Sequence, residues 1–391
     1  MPYLNVVDPA FDFTAPEVFA AQAESWYADS PLGPLVLRYT QTQELLRDRR
    51  LDHGGADYLR SNGVTSGPIY DWYAPMIVNR DGADHRRLRG LVIRAFTPRT
   101  IDRLRPFIRA TAESLADEVA DADFVTTFAN RLPLLVMGEL LGVPAADHDI
   151  FSAWSSDIGL IFALATGGDT TARVERAVAG LDGYIDTLID DKTKHPADDL
   201  ISTMVAAWQE DQAVTREEMR NLLVTLVFGA HDNTRHQFSN TMVAFAEHPA
   251  QWTLLHDRPD LIGRAVNEAM RWGPSAASLF RHAAENFEFQ GLPIAAGTFV
   301  TMAVQTAQRD PRAYPGGDIF DISAVREAPL LQFGGGPHYC LGAALAHAEL
   351  SEALPILARR FGPPTIAGEV TWRPAIGTHG PNELPLRFPS L

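Results

Sequence analysis

Cysteine is nearly missing from this chain of 391 residues, which has Cys340 and no other. No disulfide can close within the chain, and neither a multi-thiolate zinc site nor an iron–sulfur cluster held by several cysteines can form. Any sulfur chemistry falls to Cys340. Lysine is almost as scarce, with only Lys192 and Lys194, and positive charge as a whole is in deficit. Against 33 basic residues stand 49 acidic ones, a formal net charge of −16. Such a balance argues against broad binding to nucleic acid or to an anionic membrane. No apolar run approaches the ~20 residues that cross a bilayer. The N-terminal stretch, Met1 to Phe13, lacks the basic-then-apolar pattern of a secretory signal. The expectation is a soluble, cytoplasmic protein.

The 29 glycines and 27 prolines are scattered rather than clustered, and neither a repeat nor a low-complexity linker marks a domain boundary. Apolar residues recur at helical spacing over 105–123, 128–141, 171–191 and 345–361. Short β-branched or apolar pieces at 35–39, 287–289, 298–303 and 384–388 read as strands. The fold class is mainly α with small β-sheets.

The longest helical pattern runs from Thr215 to about Glu247. Thr215 followed three residues later by Glu218 has the form of a capping box, and His248-Pro249 supplies a stop. Such a rod, roughly 50 Å long, would be a central element. Its middle, Gly229-Ala230-His231-Asp232-Asn233-Thr234-Arg235-His236, is unusually polar. Either this stretch surfaces to solvent, or the helix passes an active site where Gly229 permits close approach and Asp232 and Asn233 offer polar groups.

The strongest local signal is Phe333-Gly334-Gly335-Gly336-Pro337-His338-Tyr339-Cys340-Leu341-Gly342, followed at once by the helical pattern from Ala343. A lone cysteine is more often a small buried hydrophobe than a reactive group. This one falls where a shaped glycine loop enters a helix, and the free amides and positive dipole end there favour thiolate. A nucleophile or a metal ligand would both suit that setting.

These residues resemble the cysteine loop of the cytochromes P-450, the haem-thiolate monooxygenases, whose pattern Phe-Gly-x-Gly-x-His-x-Cys-x-Gly is met by Phe333, Gly334, Gly336, His338, Cys340 and Gly342. The resemblance implies haem b, with Cys340 as the ligand of its iron and Phe333 packed on the cysteine side. Glu268 and Arg271 match the family's Glu-x-x-Arg, a structural ion pair. Ala307-Gln308-Arg309-Asp310-Pro311 and Phe320-Asp321-Ile322 match further landmarks. The segment from Asp84 looks like the haem-contacting helix, where His85 and Arg89 share a face and would donate to the propionates together with Arg281 and His338. Without the family, that segment reads as a solvated basic face. The resemblance spans the chain and implies one haem domain, 1–391, of triangular, mostly helical form.

Two departures stand out. The family's central helix typically carries a threonine after the acid, and its alcohol helps deliver protons to bound dioxygen. Here Asp232 keeps the acid but Asn233 takes the threonine position, and Thr234 is not that alcohol slipped by one place. An amide is a poor proton relay, so Asn233 is read as a substrate anchor or an organiser of water. His347 replaces an arginine common in bacterial relatives on the face where an electron donor docks; Arg99, Arg103 and Arg105 are the candidates for the remaining charge.

By the same resemblance, Trp72, Met76, Ile161, Ala230, Asn233, Ala277, Leu279 and Phe280 would line a mainly apolar substrate pocket, with Tyr70, Tyr73, Trp154, Ile158, Leu160 and Phe162 as further candidates. The implied activity is hydroxylation or epoxidation of a small, largely apolar metabolite in bacterial natural-product biosynthesis. Catalytic roles fall to Asp232, Asn233 and Thr234, and the co-substrates and partners are dioxygen, a ferredoxin and its reductase. Oxidative cyclisation or coupling without oxygen transfer, and a non-catalytic haem sensor or carrier, are the alternatives.

Overall fold

The chain was analysed as a computed structural model that describes residues 1–61, 63–161, 169–211 and 213–390. The capping box closes as expected. Glu218 accepts a hydrogen bond from the Thr215 amide at 2.8 Å, and Thr215 Oγ1 accepts one from the Glu218 amide at 3.1 Å. The central helix, Arg216–Glu247, then runs for 32 residues and stops before His248-Pro249.

Helices Thr170–Lys194 and Ala343–Arg360 follow the apolar periodicity closely. The expected helix over 105–123 is corrected: Pro98–Leu115 is helical, but Asp121–Asp123 is a strand paired with Pro385–Arg387. Pairing with a distant segment overrides the local pattern. Similarly, the helix expected from residue 128 begins at Arg131, after a wide turn over Val125–Ala129. The strand expected to reach Tyr39 ends at Val36. Tyr39 instead opens the helix Tyr39–Leu45, and the carboxylate of buried Asp310 accepts from the Tyr39 amide at 3.1 Å. The cap that sets this boundary comes from a residue 271 positions away.

The chain forms two compact units, and it passes through each more than once. The first comprises Met1–Asp52, Ala112–Ala129 and Asn233–Leu391. It holds a five-stranded sheet in the order Tyr27–Ala28, Leu35–Val36, Phe299–Met302, Leu279–Ala283, Leu51–Asp52. The Leu35–Val36 pairing with Phe299–Met302 is parallel and the rest are antiparallel. Gln290 and Gly291, both at positive φ, turn the hairpin Phe287–Phe289/Leu292–Ile294, the left-handed pair that a two-residue hairpin turn demands. Val36, Leu51, Val300, Met302 and Tyr314 form the core against that sheet.

The second unit, His53–Thr111 and Asn130–Asp232, has no strand among its described residues. Its helices include Gly82–Ala95, Arg131–Leu141, His148–Gly159, Thr170–Lys194 and Leu200–Asp211. Arg216 and Arg220 bind the carboxylates of Asp182, Asp186 and Asp190 on the helix Thr170–Lys194.

Candidate active site

In the first unit, the loop before Ala343–Arg360 explains its own glycines. Gly334 and Gly336 sit at φ +72° and +63°, a region that side chains rarely adopt. Gly335 lies so close to Leu46 that an added Cβ would come within 3.2 Å of that side chain. The Cys340 amide donates to the Phe333 carbonyl at 2.8 Å and closes the loop. Cys340 is exposed, and a Cβ on Gly342, the residue before the helix, would stand 3.9 Å from its Sγ. The sole thiol therefore stands exposed three residues before an 18-residue helix. Phe333 lies 5.5 Å from the His347 ring and 6.4 Å from that of Tyr339.

The loop hangs from a buried polar hub. Arg271 and Glu268 form a two-pronged ion pair at 2.7 and 2.8 Å, with both side chains sealed from solvent. Arg271 also donates to the carbonyls of Gln308, Gly317 and Ile319, while Glu268 accepts from the Asp321 amide and from Arg326. Gln308 donates to the carbonyls of Met270 and Arg271 and accepts from the Leu331 amide at 2.7 Å. Leu331 in turn accepts from the Gly334 amide at 2.8 Å. The sequence identified the Glu268–Arg271 pair but not Arg326, whose spacing of 58 positions carries no local signal.

Arg281 is buried on the strand Leu279–Ala283 and donates to the Phe280 carbonyl at 2.7 Å. His338 is half-buried in the short turn Gly336–His338. In the second unit, His85 is buried and Arg89 half-buried, one turn apart on Gly82–Ala95. Arg87 on the same helix binds Glu218 at 2.7 Å, and that bond, against the cost of burial, lowers the carboxyl to about 2.

The polar middle of the central helix is open on one face only. Gly229 and Asn233, one turn apart, are exposed, whereas His231, Asp232, Thr234 and His236 are buried. This pattern opposes a rod whose middle simply surfaces. In the second unit His231 Nε2 meets Asn130 Oδ1 at 2.7 Å, and Gly159 faces Asp232, its would-be Cβ 4.0 Å from the carboxylate. In the first unit Thr378 Oγ1 donates to Asn233 Oδ1 at 3.1 Å. That contact was not legible in the sequence.

Among the expected pocket residues, Met76, Ile161 and Ala277 are fully buried and Trp72 nearly so, its ring edge-on to Phe228. Leu279 packs on the core of the five-stranded sheet, and Phe280 stacks on Phe299 at 5.2 Å. Ala230 is half-buried and Asn233 exposed. Of the further candidates, Tyr70 accepts from Arg60 at 2.8 Å, Tyr73 and Ile158 are buried, and Trp154 lies 6.0 Å from Tyr184. Phe162 lies outside the described residues.

Arg103 pairs with Asp198 and Arg105 with Asp102, leaving Arg99 exposed. His347 packs beside Phe333, where burial lowers its pKa.

A thiolate-bound haem fits this donor set. One thiol lies open on a glycine cradle beside an aromatic ring, and a buried guanidinium stands in the same unit. Among the described residues no group of three or more histidine, cysteine or acidic side chains is arranged to hold a metal otherwise. No helix among them is long and apolar enough to cross a membrane.

The family model described as Cytochrome P450 matches residues 252–372. The chain is 43% identical over 99% of its length, and 96% of the relative's, to luteothin monooxygenase of Streptomyces thioluteus. It is 34% identical to mycinamicin IV hydroxylase/epoxidase of Micromonospora griseorubida, covering 90% of this chain and 88% of that one. Among solved structures, CalO2 superposes with a TM-score of 0.88 at 29% identity, covering 98% of this chain and all 100% of the other. A variant of the mixed-function P450 MycG in complex with mycinamicin IV gives 0.85 at 31%, covering 98% and 99%.

Proposed function

The chain belongs to the cytochrome P450 family and is a monooxygenase, and from that premise we propose that it hydroxylates or epoxidises a small, largely apolar metabolite in bacterial natural-product biosynthesis. The relatives' names support oxygen insertion, among them a monooxygenase, an N-oxygenase and a hydroxylase/epoxidase. They do not favour coupling or a passive haem carrier. One observation carries the reading: the only thiol in the chain is exposed just before a helix, on a loop whose Gly334 and Gly336 take the positive φ that favours glycine.

Cys340 Sγ, as thiolate, would hold the iron of haem b, with Phe333 against the sulfur side. Arg281, His338, His85 and Arg89 would neutralise the propionates. The bound haem supplies the activation of dioxygen, with electrons drawn from a ferredoxin and its reductase. The protein's own part is positional. Asp232 is the acid of the central helix, Thr234 is a buried hydroxyl beside Asn233, and Asn233 is the exposed polar group that would anchor the substrate and set which carbon reacts. An amide bound to an alcohol holds protons in place and does not relay them. Ordered water or the substrate must then complete proton delivery.

The test is spectroscopic. Reduced, haem-loaded protein exposed to carbon monoxide should show the red-shifted Soret band of thiolate ligation, and Cys340→Ser should lose both band and turnover. An intact wild-type holoprotein without that band would refute the assignment.

A further inference from the structure

In the first unit a cleft of about 430 Å³ opens among the N-terminal stretch, the central helix and the segment 372–379, a volume in the range of small-molecule sites. None of the residues assigned above to haem or substrate lines it.

Arg309 lines this cleft and is half-buried. Its Nη2 donates to the Trp272 carbonyl at 2.8 Å, and the guanidinium lies 3.7 Å over the Trp272 ring. That ring packs in turn on His248 and Phe320, so the cation is held in place before any ligand arrives. Among the described residues nothing accepts from Nη1, Nε is sealed without a partner, and no carboxylate comes within ion-pair distance. Burial, with the like charge of Arg271, pulls the pKa down to about 10, and Asp12, Glu247 and Glu268 offset this only in part. The group stays charged at neutral pH, and a bound anion would relieve the cost of burying it.

Asp12 and Glu247 also line the cleft, but both are exposed. The two oxygens of Asp12 accept from Thr14 at 2.7 to 2.9 Å. Solvent screens such charges, whereas a partly desolvated cation is screened much less. A second wall of the cleft is flat. Trp372 stacks on the His379 ring at 5.2 Å, 15° from parallel. His379 Nδ1 faces the carbonyls of Arg373 and Pro374 at 2.9 and 3.3 Å, and Asn240 donates to the His379 carbonyl at 3.0 Å. Phe11 adds apolar surface.

We propose that this cleft is a binding site for a small, flat organic acid, its carboxylate taken by Arg309 and its ring lying against Trp372 and Phe11. The site is independent of the haem assignment. The segment that forms one wall also carries Thr378 against Asn233.

Calorimetric titration of the haem-loaded protein, its iron capped with excess imidazole, tests the proposal with 2-naphthoate and its neutral isostere 2-naphthamide. The acid should bind roughly ten- to hundredfold more tightly, the range of one charge-assisted hydrogen bond. The ratio should fall toward one in Arg309→Gln, which can still donate to the Trp272 carbonyl, and lie between the two in Arg309→Lys. Glu247→Gln, an exposed change that puts no packing at risk, should tighten naphthoate about two- to threefold and leave naphthamide unchanged. A co-crystal of the wild type should place the naphthoate carboxylate on Arg309.

Equal affinities for acid and amide, a ratio unmoved by Arg309→Gln, or naphthoate seated only elsewhere overturns the proposal. If Arg309→Gln does not fold, the co-crystal and Glu247→Gln decide it. Tighter binding of 2-naphthylmethylamine than of naphthoate overturns the charge assigned to the ligand.

Discussion

Glu268 and Glu349 are both carboxyl groups sealed inside the first unit, 2% and 1% exposed, yet their surroundings drive them to opposite charge states. Around Glu268, burial opposes the charge, but bonds from Arg271, the Asp321 amide and Arg326 outweigh it and hold the carboxyl below its ordinary range. On the helix that follows Cys340, Glu349 Oε2 is buried with no hydrogen-bond partner among the described residues, and burial alone pushes the group up to about 8. Depth is nearly equal in the two regions. What differs is whether other segments of chain deliver donors, and this decides whether a buried acid is an anchor or a neutral filler.

The two acids therefore respond to pH with opposite sign. Glu268 adds stability above the ordinary carboxylate range, and that stability is lost as pH falls through its depressed value. Glu349 keeps in the folded state a proton that the unfolded chain releases from roughly pH 4.5 upward. Its contribution is complete at low pH and is lost as pH rises to about 8.

The most severe way to break the comparison is Arg271→Met, which removes the two-pronged partner and leaves Glu268 to Arg326. A loss of about 3–5 kcal/mol is expected in urea unfolding at neutral pH. A loss below ~1 kcal/mol would mean that Arg326 compensates. Next comes Glu349→Gln, which keeps the shape without the titration. The decline of wild-type stability between roughly pH 5 and 8, on the order of 4 kcal/mol at its limit, should flatten in the variant. Parallel curves for the two proteins would show that Glu349 is not a neutral acid in the fold.

Gln308→Ala sharpens the comparison with a neutral group. It strands the Leu331 amide and should cost about 1–3 kcal/mol, with little pH dependence. Smallest in stability is Asn233→Ala, within about 0.5 kcal/mol because the side chain is exposed. Its effect belongs in weaker substrate binding or a changed position of oxidation, read by product analysis. An unchanged product pattern with unchanged affinity removes the anchor role.

Legibility in the sequence followed distance along the chain. The glycine loop around Cys340, the Thr215–Glu218 capping box and the Glu268–Arg271 pair each lie within one or two turns, so spacing alone placed their groups together. Asp310 capping Tyr39, Arg326 reaching Glu268 and Thr378 reaching Asn233 span 271, 58 and 145 positions. No periodicity encodes such meetings. The helix expected over 105–123 failed for the same reason, since the partner of Asp121–Asp123 lies near the C-terminus.

By itself the sequence determined the chemistry: one thiol in a glycine-rich loop, a mainly helical chain and, through the family resemblance, an amide where an alcohol is usual. These are matters of residue type and short spacing, which the backbone's local geometry converts directly into structure. Only the tertiary structure decided which acids meet partners, that Asn233 rather than Thr234 is exposed, and that Thr378 reaches Asn233. Those outcomes depend on desolvation and on donors brought from remote segments, and neither exists until the chain has folded.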